Sequence, residues 1–286
     1  MLAIHSRSRP SGERHIQLCA AIALLLHLAS HRAALAVTGP HGTVELIADQ
    51  TWLKPGQPLW VGLHFQLEKG WHIYWTNPGD SGEAARVKWD LPAGFRAGSL
   101  LWPIPQRIED HSLIDYGYLN EVLLPVEITS PATLGGSAEA QLSATVNWLV
   151  CREICIPGRA TIGLTRPIRK GTAGPTSPLH SLFAQARANL PRPAPPFWKV
   201  RANLDKHRWV LNIDTGKPES NATFFPLDGN QIENAAPQKV SPSSRGIQIE
   251  LQKSDQLLKA PPQLRGLLVL ATGQGFMIDA PVTTTK

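Results

Sequence analysis

The chain holds little of what soft-metal or thiol chemistry needs: three cysteines and two methionines in 286 residues, one of the methionines being the start. Charged residues make up only 17% of it, and no Lys/Arg cluster appears, so it lacks the electrostatic footprint of a nucleic-acid binder. Nucleophile elbows, phosphate-cradling glycine loops and paired-acid motifs are absent, which removes the commonest hydrolase and nucleotide-binding readings. Beyond the N-terminal segment no apolar run reaches the roughly 18 residues of a membrane helix. Helical periodicity is nearly missing as well.

What is present begins with a targeting pattern. Arg7, Arg9 and Arg14 stand against the single acid Glu13, and an apolar stretch follows from Leu18 to Ala29. That stretch has the length of a secretory core and is too short to span a bilayer. Ala34-Leu35-Ala36 supplies the small-x-small pattern of a signal peptidase site. Residues 1–36 are therefore expected to be a signal peptide cleaved after Ala36, and the mature protein to be soluble, exported and periplasmic, where thiols can oxidise. Cys19 lies in the removed segment and lacks a lipoprotein-type context. Cleavage takes away four arginines and one glutamate, so 28 basic and 22 acidic side chains become 24 and 21, a net charge of +3.

From 43 to 166 the pattern is that of strands. Leu59, Val61, Leu63, Phe65 and Leu67 alternate with Trp60, Gly62, His64, Gln66 and Glu68, and Val122, Leu124, Val126 and Ile128 alternate in the same way. Lys54-Pro55-Gly56, Asn77-Pro78-Gly79-Asp80 and Leu91-Pro92-Ala93-Gly94 punctuate the runs as turns. The expectation is an all-β protein: an immunoglobulin-like antiparallel β-sandwich over 37–168, followed by a second, smaller β-sandwich over 197–286. Between them, 169–196 is rich in Pro, Gly, Ser and Ala and reads as a Pro-rich linker. It carries a short helix from Pro178 to Asn189, with Ser177 as its cap.

Removing Cys19 leaves a lone pair of thiols, Cys151 and Cys155. Ala138 to Val150 is the cleanest strand in the chain, with apolar residues on even positions, and its parity puts Cys151 on the polar face. Cys155 cannot follow in the same straight strand. Four extended residues span about 13 Å, whereas a disulfide needs Cα atoms within about 7 Å. The chain must turn at Arg152-Glu153-Ile154. A hairpin with that three-residue loop would set the cysteines opposite each other, and one helical turn would also bring them close. Closing so small a loop contributes only about 2 kcal/mol as a staple, and an exposed bond in a tight loop is easily reduced. Arg152 favours a thiolate on Cys151, with Glu153 partly opposing it. Spacing alone leaves both a redox couple and a staple open.

The run Trp148-Leu149-Val150-Cys151-Arg152-Glu153-Ile154-Cys155-Ile156-Pro157-Gly158 resembles the active-site segment of the N-terminal periplasmic domain of the DsbD thiol:disulfide interchange family. It is most like the branch called suppressor of copper sensitivity. Gly70-Trp71-His72-Ile73-Tyr74-Trp75-Thr76-Asn77-Pro78-Gly79-Asp80-Ser81-Gly82, Trp102-Pro103-Ile104-Pro105, Tyr116-Gly117-Tyr118, Phe224-Phe225-Pro226 and Ala235-Ala236-Pro237-Gln238 fit the same branch. The resemblance implies that Cys151 and Cys155 are a redox couple which is reduced by a membrane domain and in turn reduces oxidised periplasmic proteins, with no cofactor. Best-known members have a wider cysteine spacing and continue into membrane and thioredoxin-like domains that this sequence does not contain. The implied electron donor is then a separate multi-helix membrane protein, or the partner is different. Cys155 is weighed as the attacking thiol.

Rival readings are a non-catalytic periplasmic module that binds protein or Cu(I), with the disulfide as a local staple. Two thiolates suit Cu(I), and His64, His72 and His111 lie in the same region. No further Cys or His pair accompanies them, so they read as half-exposed strand residues and no metal site is assigned. Seven of nine tryptophans lie between 52 and 148 and belong to the sandwich core or rim. Trp71, Tyr74, Trp75, Tyr116 and Tyr118 are alternatives for shielding the cysteines. The family's cap loop is placed at Asp110 to Glu121, and Asp115 or Glu109, solvated acids by default, is the candidate proton acceptor.

Overall fold

The structure is a computed structural model that describes residues 36–110 and 112–284; residues 1–35, which hold nearly all of the expected signal peptide 1–36, lie outside the described residues, as do His111 and residues 285–286. Eleven strands build the first half. They are β1 (Val37–Gly39), β2 (Gly42–Ala48), β3 (Leu59–Leu67), β4 (His72–Gly79), β5 (Arg86–Asp90), β6 (Arg96–Ala97), β7 (Gln106–Asp110), β8 (Leu113–Leu119), β9 (Glu121–Thr129), β10 (Glu139–Cys151) and β11 (Cys155–Pro167). One sheet has the order β1-β2-β3-β9-β6, and the other β11-β10-β4-β8-β7 with β5 also on β10. All pairings between these strands are antiparallel.

The two sheets pack as an immunoglobulin-like sandwich. Val44, Leu46, Val61, Leu63, Phe65, Leu124 and Val126 from one sheet meet Ile73, Trp75, Tyr116, Leu142, Ala144 and Val146 from the other. The alternation along β10 has the expected sense, since Ala140, Leu142, Ala144, Val146, Trp148 and Val150 are all buried.

In β3 and β9 both faces are buried over part of their length, although the sequence alternates. A helix accounts for this. α1 (His180–Ala188) lies over the outer face of β2, β3 and β9 and inserts Phe183 between Ile47 and Leu123. Asp49 holds its ends, accepting from His180 Nδ1 at 2.7 Å and Arg187 Nη1 at 2.8 Å. The segment expected to be a spacer is thus packed against the first sandwich at this point. The helix starts two residues later than expected: Leu179 is its N-cap, and Ser177 Oγ accepts from the Leu179 amide instead of capping the helix itself.

Strands β12 (Arg192–Pro193), β13 (Lys199–Leu204), β14 (Arg208–Asp214), β15 (Ala222–Pro226), β16 (Lys239–Ser243), β17 (Gly246–Gln252), β18 (Gln263–Leu270) and β19 (Gly275–Thr284) form the second half. They run β15-β18-β19-β13-β14-β17-β16, with β12 on β19. β19 passes from one layer to the other, antiparallel to β18 over its first part and parallel to β13 at its end. A second core of Trp209, Leu211, Ile249, Leu251, Phe224, Leu268 and Ile278 fills the space between the layers. Phe225 and Leu267 instead join the core of the first sandwich.

Candidate functional site around Cys151 and Cys155

β10 and β11 form one long hairpin whose last paired residues are Cys151 and Cys155. Arg152-Glu153-Ile154 is the loop, and the Cys151–Cys155 disulfide spans a Cα separation of 4.2 Å. Of the two conformations compatible with the spacing, the chain takes the hairpin. The loop is held by a bond from Arg152 N to Ile154 O and by the Arg152 guanidinium, which lies 5.4 Å from the Trp71 ring centroid. His41 stacks on Trp71 at 3.6 Å. Arg152 also reaches Glu153 at 3.5 Å.

The two sulfurs are not equivalent. Cys155 is exposed, whereas Cys151 is 3% exposed. This corrects the expectation that Cys151 points to solvent. Its parity does place it on the outer face of the sheet, but that face is covered here. His72 on β4 is its cross-strand partner. His72, Tyr74 and Asp115 stand on the same face and are all buried. The loop Asp80-Ser81-Gly82 then folds back over Tyr74. Gly82 has φ +76°, and a Cβ there would collide with the Tyr74 ring.

A polar chain runs beneath that loop. Asp115 accepts from Ser81 N at 3.0 Å and from Ser81 Oγ at 2.9 Å. The Tyr74 hydroxyl lies 3.1 Å from Ser81 Oγ, 3.5 Å from Asp115 Oδ2 and 3.4 Å from Cys155 Sγ. His72 Nε2 sits 3.4 Å from Asp115 Oδ2, within range for charge attraction but not aligned for a hydrogen bond. The Tyr74 phenol donates toward Asp115 Oδ2 and stands within hydrogen-bond reach of Cys155 Sγ as well, so the carboxylate, the Ser81 hydroxyl and the sulfur all meet at one phenol. A donor aimed at sulfur favours its thiolate.

Asp115 is therefore a buried acid, not the solvated one expected, while Glu109 is exposed and pairs with Arg107. Asp110 to Glu121 is not a loop over the site, since most of it is strand β8; the covering loop is Asp80-Ser81-Gly82. Of the aromatics weighed as shields, Tyr74 touches Cys155 and Trp71 supports Arg152. Trp75, Tyr116 and Tyr118 are core residues. Burial pushes the Tyr116 phenol well above its ordinary value, with the Asp80 charge adding to the effect and Arg107 opposing it. Burial alone does the same to Tyr118.

His64 and His72 are buried rather than half-exposed, and His111 lies outside the described residues. His64 lies between Glu45 at 2.9 Å and Glu121 at 2.7 Å, bound through both ring nitrogens. Among the described residues, no group of three or more His, Cys, Asp or Glu side chains is arranged to hold a metal ion. The same residues contain no helix long and apolar enough to cross a membrane.

The sequence model of the DsbD thiol:disulfide interchange protein N-terminal domain matches residues 43–167, the stretch that contains this hairpin and the chain beneath it. Residues 43–167 form a DsbD N-terminal-like domain. The N-terminal periplasmic domain of ScsB from Proteus mirabilis superposes with a TM-score of 0.65 at 17% identity, over 87% of this chain and 98% of that one. The shared fold thus extends past the DsbD N-terminal-like domain into the second sandwich. The periplasmic chaperone SfaE covers 85% of this chain at a TM-score of 0.24 and 9% identity, too distant to inform the comparison. Among curated proteins, none matches.

Proposed function

We propose that the chain carries out thiol:disulfide interchange in the periplasm, with Cys151 and Cys155 as a redox couple that passes electrons from a membrane reductase to oxidised partner proteins. The observation that carries the reading is the asymmetry of the pair: an exposed Cys155, its sulfur 3.4 Å from a phenol, bonded to a Cys151 that is 3% exposed. A staple needs no such difference. In an exchange cycle the exposed sulfur meets the partner and the sheltered one resolves.

In the reduced state the Cys155 thiolate attacks one sulfur of a partner disulfide. That S–S bond breaks, a mixed disulfide forms on Cys155, and the partner's other sulfur leaves as a thiolate and takes a proton. Cys151 loses its proton and attacks Cys155 Sγ. The Cys151–Cys155 bond forms, the mixed disulfide breaks, and the partner's second sulfur leaves, so two electrons have moved to the partner. A dithiol of a multi-helix membrane donor returns them by the same chemistry in reverse. Residues 1–36 are the export signal in this scheme, and the sandwiches over 37–168 and 197–286 act as two domains joined by 169–196.

Single-cysteine variants test the cycle. Cys151→Ser should accumulate reductant-sensitive mixed disulfides through Cys155, and Cys155→Ser should accumulate few. Trapping by neither variant would defeat the exchange reading. So would a reduction potential well below about −300 mV, the range of structural disulfides.

A further inference from the structure

We propose that the second sandwich positions the dithiol site, and that Asn234 is the positioning residue through which it acts. Asn234 lies in the connection between β15 and β16, yet all its bonds to the first sandwich converge on the back of the site. Its Nδ2 donates to Asp80 Oδ1 at 2.7 Å, its Oδ1 accepts from the Tyr116 hydroxyl at 2.8 Å, and its carbonyl accepts from Arg107 at 3.3 Å.

Asp80 is the first residue of the loop that covers Tyr74. Its other carboxylate oxygen accepts from Ile114 N at 2.7 Å, and its own amide donates to Ile114 O at 2.9 Å, so it ties the loop to β8 beside Asp115. Ser81, the next residue, binds Asp115 and lies 3.1 Å from the Tyr74 hydroxyl. A continuous series of bonds thus leads from Asn234 through Asp80, Ser81 and Tyr74 to Cys155. Gly79 at φ +91° and Gly82 at φ +76° flank the loop, a backbone that side-chain-bearing residues rarely adopt. Neither glycine has a side chain to bond the loop in place, so its side-chain hydrogen bonds are those of Asp80 and Ser81.

The same two strands are braced from their inner face. Phe225 packs edge-on against Trp75 at 6.3 Å and Tyr116 at 5.1 Å, and Asn77 Nδ2 donates to Pro226 O at 2.8 Å. Trp75 is the neighbour of Tyr74 on β4, and Tyr116 the neighbour of Asp115 on β8. The residues that face the sulfur on one side of the sheet are thus fixed from the other side by the second sandwich. Such contacts link the second sandwich to the dithiol site through β4 and β8.

This inference rests on the exchange reading, and one set of measurements on the full mature chain separates the two. Variants Asn234→Ala, Asn234→Asp, Tyr74→Phe and Asn234→Ala/Tyr74→Phe are equilibrated with glutathione buffers, and the reduced forms are alkylated across a pH series. Loss of the clamp should make Cys151–Cys155 about three- to tenfold harder to reduce, the size of one hydrogen bond. It should also move the alkylation of Cys155 to higher pH. Asn234→Asp should act in the same direction, since it sets a second carboxylate against Asp80. Tyr74→Phe should match Asn234→Ala, and the double variant should add little. Arg245→Ala, which unpairs Asp214 elsewhere in the second sandwich, should change neither readout. If Tyr74→Phe shifts both readouts and the Asn234 variants shift neither, or if the two effects simply add, the clamp is refuted while exchange stands. A wild-type disulfide that glutathione cannot open sinks the exchange reading, and the clamp with it.

Discussion

The hydroxyl of Tyr74 stands 3.4 Å from the sulfur of Cys155, across 81 residues of sequence. The two meet because β4 adds to β10 where the cysteine hairpin begins, at the pairing of His72 with Cys151. Tyr74, two residues further along β4, faces the same side. The two cysteines differ in their surroundings: Cys155 is exposed and stands against a phenol, whereas Cys151 is buried.

Tyr74→Phe isolates that donor. The ring keeps its packing under Gly82 while the phenol proton is lost, so melting temperature should change little. Reduced Cys155 should be alkylated at neutral pH about three- to tenfold more slowly, the scale of one hydrogen bond to sulfur. Rate measurements with iodoacetamide check this. An unchanged rate would mean that the phenol serves Ser81 and Asp115 alone.

Much of this was legible in the chain, and what was legible was local. The alternation of Ala138 to Val150 and the four-residue spacing of the cysteines require a turn that brings the two together, by a hairpin or by one helical turn, because each constraint acts over a few residues. Strand parity correctly gives the face that Cys151 occupies. It says nothing of whether that face is covered, and the loop that folds over neighbouring Tyr74 comes from Asp80-Ser81-Gly82, far upstream in the chain. Asp115, Ser81 and Tyr74 are brought together by strand pairing and a loop, which no spacing encodes. Asn234, 154 residues from Asp80, carried no signal at all. The one available hint was the Asn77-Pro78-Gly79-Asp80-Ser81-Gly82 turn, whose two glycines permit a loop that doubles back on its own strand.

Gly82→Ala tests that loop. A methyl group at φ +76° would be strained, and here it would also collide with the Tyr74 ring. Displacing the ring or the loop should destabilise the protein by about 1–3 kcal/mol and expose Cys151 to alkylation after reduction. Urea denaturation and mass spectrometry of the alkylated cysteines report the two effects. A stable variant with Cys151 still protected would show that the loop is not its cover.

Phe183→Ala probes the opposite face of the first sandwich. The ring is fully buried between α1 and the β2-β3-β9 sheet, against Ile47 and Leu123. Its truncation should cost about 3–5 kcal/mol if the surroundings do not collapse. Because α1 sits on the sheet that does not carry the cysteines, the glutathione equilibrium of the disulfide should be unchanged in the folded variant. A shift in that equilibrium would reveal coupling through the core that the contacts do not suggest.

Alkaline pH should unfold the protein through Tyr116 and Tyr118. Both phenols are held neutral above their ordinary range, Tyr118 by burial and Tyr116 by burial reinforced by Asp80. Tyr118 donates to Pro103 O at 2.7 Å and Tyr116 to Asn234 Oδ1 at 2.8 Å, bonds that need the proton. In the unfolded chain each ionises near pH 10. The stabilisation is fully present below that pH and is lost as pH rises toward the folded-state values. Each phenol then removes about 1.4 kcal/mol per pH unit. Denaturant titrations at pH 8, 10 and 11 should show this decline, and it should be shallower in Tyr116→Phe, which loses one ionisation and keeps the ring packed on Phe225. Equal slopes in wild type and variant would mean that Tyr116 ionises as readily in the folded state as in the unfolded chain.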